Sequence, residues 1–183
     1  MTAKQTVLQQ RLYNAAEEFY YAGVLTSLPF DAANVDAGAY RHTVWAAEAA
    51  ACGQNKCNSL VAPPIINFGF SIELYIKLLR NLADGNLMHG HNLHELFLKL
   101  DEAAPQVGAA AIRNHYSSRG CREEFIEFIK NEASVFEEWR YAYEKEFLCS
   151  SPDILFVLAD AFRKTVWELH PDLRSAFRPT QHL

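Results

Sequence analysis

Three neighbouring histidines, His89, His91 and His94, are the first residues in the sequence whose type and spacing point to chemistry. Imidazole is a common zinc ligand, so metal binding is one interpretation. However, His91 precedes a predicted helix and His94 lies in its first turn, where the helix cap explains both positions. Cys52 and Cys57 lack a second cysteine pair of similar spacing. We therefore predict no metal site and no cofactor.

Sequence signatures of other catalytic sites are missing. No Glu has a His three residues later, which argues against the Glu-x-x-His pair of ferritin-like metal sites. The chain also lacks the Gly-x-Ser-x-Gly turn of serine hydrolases, the P-loop, Gly-x-Gly-x-x-Gly and the His-Glu-x-x-His pair of zinc proteases. These absences leave the catalytic residues unassigned.

Arg140 is the main candidate for binding an anion. It follows Phe136 by four residues and precedes Tyr143 by three, which places it at the margin of a predicted apolar helix face. A cation in that position needs a partner, and three remain open. One is a helix-end carbonyl, and another is an internal acid, either Asp160 or a nearby Glu. The third is a ligand phosphate, which suits the planar guanidinium. The candidate ligand-binding residues are Arg140, Tyr141, Tyr143 and Glu144.

The composition indicates what kind of protein positions these residues. The chain has 183 residues, 50% hydrophobic and 21% charged, which is typical of one globular domain and not of a disordered segment. Its formal charge of −5 means that a nucleic-acid contact needs a local basic patch. The polar N-terminus lacks a signal peptide, and the apolar run 65–82 is interrupted by charged residues. We expect a cytoplasmic protein with no membrane partner.

Apolar residues recur at helical spacing along most of the chain. Four predicted helices are Val7–Leu28, Ala39–Cys52, Pro105–Ile112 and Arg122–Tyr143. A fifth has Pro63 and Pro64 in its first turn and ends near Ala83, and a short sixth is begun by a capping box of Asn92 and Glu95. The last begins at Pro152 and is closed by Pro171. These helices predict an all-α, single-domain bundle of about five to seven helices. We divide it into an N-terminal helical extension packed on the core (1–62), the bundle (63–170) and a C-terminal tail (171–183).

The central helix and the segment after it carry a characteristic order of residues. The residues concerned are Ser71, Glu73, Lys77, His91, Asn92 and Leu93. The spacing S-x-E-x-x-x-K followed by H-N-L resembles the HEPN superfamily (higher eukaryotes and prokaryotes nucleotide-binding), over roughly residues 63–169. Taken singly, Glu73 and Lys77 form an ordinary ion pair one helical turn apart, and His91 is a loop residue before a cap.

The resemblance implies a HEPN-like helix bundle that often forms homodimers and takes part in RNA or nucleotide transactions, here in a bacterial defence or stress context. It gives Glu73, Lys77, His91 and Asn92 structural roles in the family motif. Many relatives are metal-independent ribonucleases with an Arg-x(4–6)-His motif, in which the Arg steadies the phosphate and the His acts as acid or base.

The ribonuclease motif is incomplete in this chain. Arg140 stands in the matching place, but positions 145–147 are Lys, Glu and Phe, so the catalytic His is absent. Arg163 and His170 have the right spacing, but they come late in the final long helix, where the family does not place the motif. They are therefore only weak candidates for catalysis.

Three functions follow from these observations. The first is a catalytically degenerate HEPN-like protein that binds RNA, a nucleotide or a protein partner. The second is an active, metal-independent ribonuclease toxin that uses Arg163 and His170 or another set of residues. The third is a non-catalytic scaffold whose bundle only dimerises.

Overall fold

The computed structural model describes residues 3–27, 58–115, 120–133 and 152–176. Within these ranges the chain forms seven helices and no strand. They are α1 (Ala3–Ser27), α2 (Asn58–Asp84), α3 (Leu93–Ala103), α4 (Pro105–Asn114), α5 (Arg122–Asn131), α6 (Pro152–Leu169) and α7 (Pro171–Ala176). The predicted all-α, single-domain bundle is confirmed, and the seven helices of the described ranges fall within the predicted five to seven.

Helix α2 lies at the centre of the bundle and contacts α1, α3 and α6. Its apolar side chains are fully buried along the predicted stripe, as Ile65, Phe68, Ile72 and Tyr75 show. A helix that is apolar around most of its circumference exposes the least apolar surface to water when neighbouring helices cover it on several sides. This explains why the most apolar segment of the chain is also its central element.

Helix α1 packs along α2 and shares its core. Tyr13, Ala16 and Tyr20 are buried in the same apolar cluster as the α2 stripe. The helices approach closely at Gly23, where an added Cβ would lie 2.6 Å from the ring of Phe68. Such a distance is shorter than carbon atoms tolerate, so a small residue is needed at this point. The described part of the N-terminal extension is therefore an integral layer of the bundle.

Two predicted helix boundaries are wrong. Helix α2 begins at Asn58, so Pro63 and Pro64 lie in its interior and not in its first turn. Helix α5 ends at Asn131, where the sequence pattern predicts that it continues. The backbone turns at Glu132 and Ala133, and the Ala133 carbonyl accepts a hydrogen bond from the Leu93 N–H at 3.0 Å. That tertiary bond lies just beyond the end of α5 and ties it to the start of α3.

Several other predicted boundaries are confirmed. The Asn92 side chain caps α3 by accepting a hydrogen bond from the Glu95 N–H at 3.0 Å. Helix α4 begins at Pro105 and α6 begins at Pro152, each with proline in the first turn. Pro171 follows the end of α6 and begins the short helix α7. The predicted helix Ala39–Cys52 lies outside the described residues.

Candidate functional site

Glu73 joins the residues that carry the family resemblance. Its side chain is 6% exposed and its Oε1 lies 2.7 Å from Lys77 Nζ. The His91 Nδ1 lies 3.0 Å from Oε2 and 3.2 Å from Oε1 of the same carboxylate. One buried carboxylate therefore binds a neighbour on its own helix and a residue from the following loop.

The fold brings His91 to Glu73 through the turn that follows α2. Gly85 and Gly90 adopt positive φ angles of 80° and 103°, which glycine reaches without steric cost. The turn reverses the chain, and the Asn92 cap then starts α3 directly after His91. Glu73 and Lys77 lie one turn apart on α2, and Glu73 contacts His91 of this returning segment. Glu73, Lys77 and His91 of the sequence motif therefore form one cluster in the structure.

The chemistry of this cluster is that of a structural anchor. A buried carboxylate is stable only when donors and positive charge compensate it, and Lys77 supplies both. Because His91 Nδ1 faces a carboxylate, we place its proton on Nδ1, from which it donates to Glu73. The His91 side chain remains 51% exposed. The cluster fastens the 85–92 segment to the central helix and fixes the orientation of the imidazole.

Arg163, one of the two weak catalytic candidates, is held inside the bundle by Glu17. Its Nε lies 3.0 Å from Oε1 of Glu17, and its Nη2 lies 2.8 Å from Oε2. Nη2 also donates to the Tyr21 hydroxyl at 2.8 Å. The Glu17 side chain is 1% exposed and that of Arg163 is 10% exposed. This two-point contact is the strong geometry for an arginine and a carboxylate.

Aromatic rings surround the guanidinium of Arg163. Its central carbon lies 4.2 Å from the ring centre of Tyr20 and 4.1 Å from that of Trp167. Rings at these distances attract a cation through their electron-rich faces. Burial alone would lower the pKa of Arg163, but its hydrogen bonds and charge interaction with Glu17 raise that pKa above the usual value. Arg163 therefore stays charged inside its aromatic enclosure.

Tyr75 completes the network around Glu17. Its hydroxyl donates to Oε1 of Glu17 at 2.6 Å. Burial, the nearby Glu17 charge and this hydrogen bond raise the pKa of Tyr75 well above its usual value, so the hydroxyl keeps its proton. The pKa of Tyr20 is likewise raised by burial, to about 12. Three helices, α1, α2 and α6, meet at one carboxylate.

His170, the second weak candidate, follows the last residue of α6. Its backbone N–H donates to the Val166 carbonyl at 2.8 Å, and partial burial lowers the pKa of its imidazole. The guanidinium of Arg163 is directed to Glu17 and Tyr21 on α1. Arg163 and His170 therefore match the ribonuclease motif in spacing only, because Arg163 belongs to a buried ion pair and His170 follows the end of α6.

The other predicted ligand-binding residues, Arg140, Tyr141, Tyr143 and Glu144, lie outside the described residues. Sequence reasoning missed Glu17, whose partner is 146 residues further along the chain. The available signal was local: Glu17 is a charged residue between Ala16 and Tyr20 on the apolar face of α1. A charge on such a face needs a buried partner, but the sequence does not name that partner.

Comparison with known proteins finds no match: no family model, no curated protein and no solved structure is significantly similar to this chain. Across the described ranges, no helix is long and apolar enough to span a membrane. In the same part of the chain, no three His, Cys, Asp or Glu residues come together as a possible metal site.

Proposed function

We propose that this chain is a HEPN-like helical protein that binds RNA or a nucleotide without cleaving it. The resemblance of the S-x-E-x-x-x-K and H-N-L segments supplies the functional class. The observation that carries the non-catalytic part is the two-point contact between Arg163 and Glu17. An arginine whose guanidinium is occupied by a buried carboxylate is a poor ligand for a phosphodiester.

The free-energy cost of separating Arg163 from Glu17 also argues against cleavage by Arg163. Moving Arg163 toward a phosphate would leave the Glu17 carboxylate buried without its cation, which typically costs about 3–5 kcal/mol. The cation–π contacts with Tyr20 and Trp167 would be lost as well. A ribonuclease that uses Arg163 would bear this cost in every catalytic cycle. The absence of His at positions 145–147 removes the partner of Arg140 in the family motif.

Arg140 and its neighbours Tyr141, Tyr143 and Glu144 remain the proposed ligand-binding segment. An arginine fork suits phosphate, and tyrosine rings suit stacking with bases. Contacts of this kind weaken as salt rises, because bound counterions are released when phosphate is neutralised.

Fluorescence anisotropy with a labelled single-stranded RNA tests binding, and a denaturing gel of the same RNA tests cleavage. We expect salt-sensitive binding and intact RNA. Arg140→Ala should weaken binding while the free energy of unfolding stays unchanged, and Arg113→Ala provides a control because Arg113 is an exposed arginine. RNA cleavage that disappears in His170→Ala would contradict the proposal. A loss of stability of about 3–5 kcal/mol in Arg140→Ala would assign that arginine to an internal ion pair instead.

A dimerising module is the second candidate, and two exposed apolar side chains on α1 favour it. Val7 and Leu25 are 52% and 54% exposed on α1. Their separation is close to five helical turns, so they lie on the same face. We expect light scattering to report a homodimer at high micromolar concentration and Leu25→Glu to shift it toward the monomer. A monomer at that concentration would contradict this candidate.

A further inference from the structure

An open cleft of about 700 Å³ lies between the end of α2, the segment after it and α3. Its lining residues are Arg80, Asn86, Leu87, Met88, His89, Lys99, Glu102 and Ala103. Small-molecule sites typically occupy about 300–1,000 Å³, so the cleft has the right size for a nucleotide.

Arg80 is the fixed cation of this cleft. Its Nε donates to Oδ2 of Asp84 at 2.8 Å, and its Nη1 donates to the Lys99 carbonyl at 2.6 Å. A guanidinium has five N–H donors, and these two bonds use two of them. The guanidinium is therefore held in one orientation at the cleft wall and retains donors for a ligand. An arginine fixed in this way binds an anion with little loss of side-chain entropy.

Asp84 is itself held in place. Its Oδ1 accepts a hydrogen bond from the Asn86 N–H at 2.9 Å. This backbone hydrogen bond, with smaller contributions from Asn86 and Arg80, lowers the pKa of Asp84, so its carboxylate stays charged at neutral pH. The turn at the end of α2 thus braces Arg80, and Arg80 in turn ties α2 to α3.

Lys99 gives the cleft a second cation beside Arg80. The Arg80 hydrogen bond ends on the Lys99 backbone carbonyl, so the two residues are adjacent. The Lys99 ammonium is 4.0 Å from Glu95, with both side chains more than half exposed. An exposed pair at this distance contributes little, so the ammonium can turn to a ligand at small cost.

The rest of the lining is suited to the other parts of a nucleotide. Leu87 is 48% exposed and Met88 is partly buried against the core, which provides an apolar platform. Asn86 and Glu102 bring groups that form hydrogen bonds with a sugar or a base. His89 adds an imidazole to the same wall.

From this arrangement we infer that the cleft binds a nucleoside monophosphate, with the phosphate at Arg80 and Lys99 and the base over Leu87 and Met88. The inference rests on the proposed nucleotide-binding function and names a site for it. A mononucleotide, or the terminal nucleotide of an RNA, presents the same chemistry to this cleft.

Isothermal titration of the full chain with AMP, adenosine and inorganic phosphate tests the site. We expect AMP to bind more tightly than adenosine or phosphate alone, because only AMP reaches both halves of the cleft. Lys99→Gln should weaken AMP binding about tenfold, as expected for one charge-assisted contact. Arg80→Lys, which keeps the charge but loses the fork, should also weaken it. Lys130→Gln is the matched control, since it removes one exposed lysine on α5 and should leave AMP binding unchanged.

The outcomes separate this inference from the proposed function. AMP binding that is the same in wild type, Lys99→Gln and Arg80→Lys would overturn the cleft assignment and leave nucleotide binding intact at another site. Labelled RNA then tests the proposed function. If Arg140→Ala alone loses RNA binding, the RNA is assigned to the 140–144 segment. A wild-type chain that binds neither AMP nor RNA would overturn both. Binding of inorganic phosphate as tight as that of AMP would overturn the nucleotide assignment.

Discussion

Arg163 and Glu17 stand 146 residues apart in the chain and form a two-point ion pair between α6 and α1. Tyr75 of α2 donates to the same carboxylate at 2.6 Å. The network therefore links the first helix, the central helix and the last long helix at a buried position. Because removing one partner would leave the other charged and buried, the pair fixes how these three helices dock.

Arg163→Ala should lower the free energy of unfolding by about 3–5 kcal/mol, because it leaves Glu17 buried without a cation. Urea unfolding measures the change. Arg113→Ala is the control, since Arg113 and its partner Glu168 are 59% and 43% exposed, and it should cost less than about 1 kcal/mol. Equal effects of the two variants would contradict the structural role of Arg163.

Glu73→Gln should destabilise the protein by about 1–3 kcal/mol, because a buried carboxylate that serves Lys77 and His91 is replaced by a neutral amide. Glu95→Gln is a close control: Glu95 also precedes a lysine by four residues, but both side chains are more than half exposed. Chemical denaturation of the two variants should give a change below about 0.5 kcal/mol for Glu95→Gln. A similarly small change for Glu73→Gln would mean that burial adds nothing to the pair.

The contrast between Glu73 and Glu95 shows which features of the fold the sequence can predict. Local spacing predicts the Glu73–Lys77 pair, the Asn92 cap and the apolar stripe of α2, because each depends on neighbours within one or two turns, and Glu95 and Lys99 have the same i,i+4 spacing. Spacing does not distinguish a buried pair from an exposed one, since burial depends on what packs above it. The same limit explains why the partner of Glu17 stayed unknown.

The wrong helix boundaries have a related cause. Proline favours the first turn of a helix, so Pro63 and Pro64 predict a start there. The helix nevertheless extends back to Asn58, which shows that tertiary context outweighs the local preference at this point. Likewise, the apolar pattern after Asn131 continues, and only the distant Leu93, which donates to the Ala133 carbonyl, marks the end of α5.

Leu79→Ala should lower the free energy of unfolding by about 2–5 kcal/mol, through lost burial and the cavity left behind. Leu79 is 1% exposed in the core beside α2's other apolar residues. Leu98→Ala is the control, because Leu98 is 40% exposed on α3 and its truncation removes little buried area. A midpoint shift in urea worth less than about 0.5 kcal/mol for Leu79→Ala would show that the stripe does not form the core.

The free energy of unfolding should decrease as the pH is lowered from about 7.5 to about 5, in part because of His115. His115 is 1% exposed, and its ring lies beside those of Phe125 and Phe128, whose centres are 5.2 Å and 5.0 Å away. Burial lowers its pKa from 6.5 to about 4.

The direction follows from the two pKa values. Below pH 6.5 the unfolded chain takes up a proton on His115 while the folded chain keeps the imidazole neutral, so protonation favours unfolding. The contribution of His115 is complete above pH 6.5 and is lost progressively toward pH 4. The limiting slope for one such group is about 1.4 kcal/mol per pH unit. His170, whose pKa is also lowered by burial, acts in the same direction.

Urea unfolding at the two pH values, in wild type and in His115→Gln, measures this contribution as a difference between slopes. The absolute stability of the variant does not matter for the comparison, so a moderate loss from repacking leaves the test valid. His115→Gln should lose less stability on acidification than wild type, because glutamine does not titrate. His89→Gln removes an exposed histidine and should keep the wild-type slope. If His115→Gln and wild type lost the same stability between the two pH values, the buried imidazole would not be the group that senses pH.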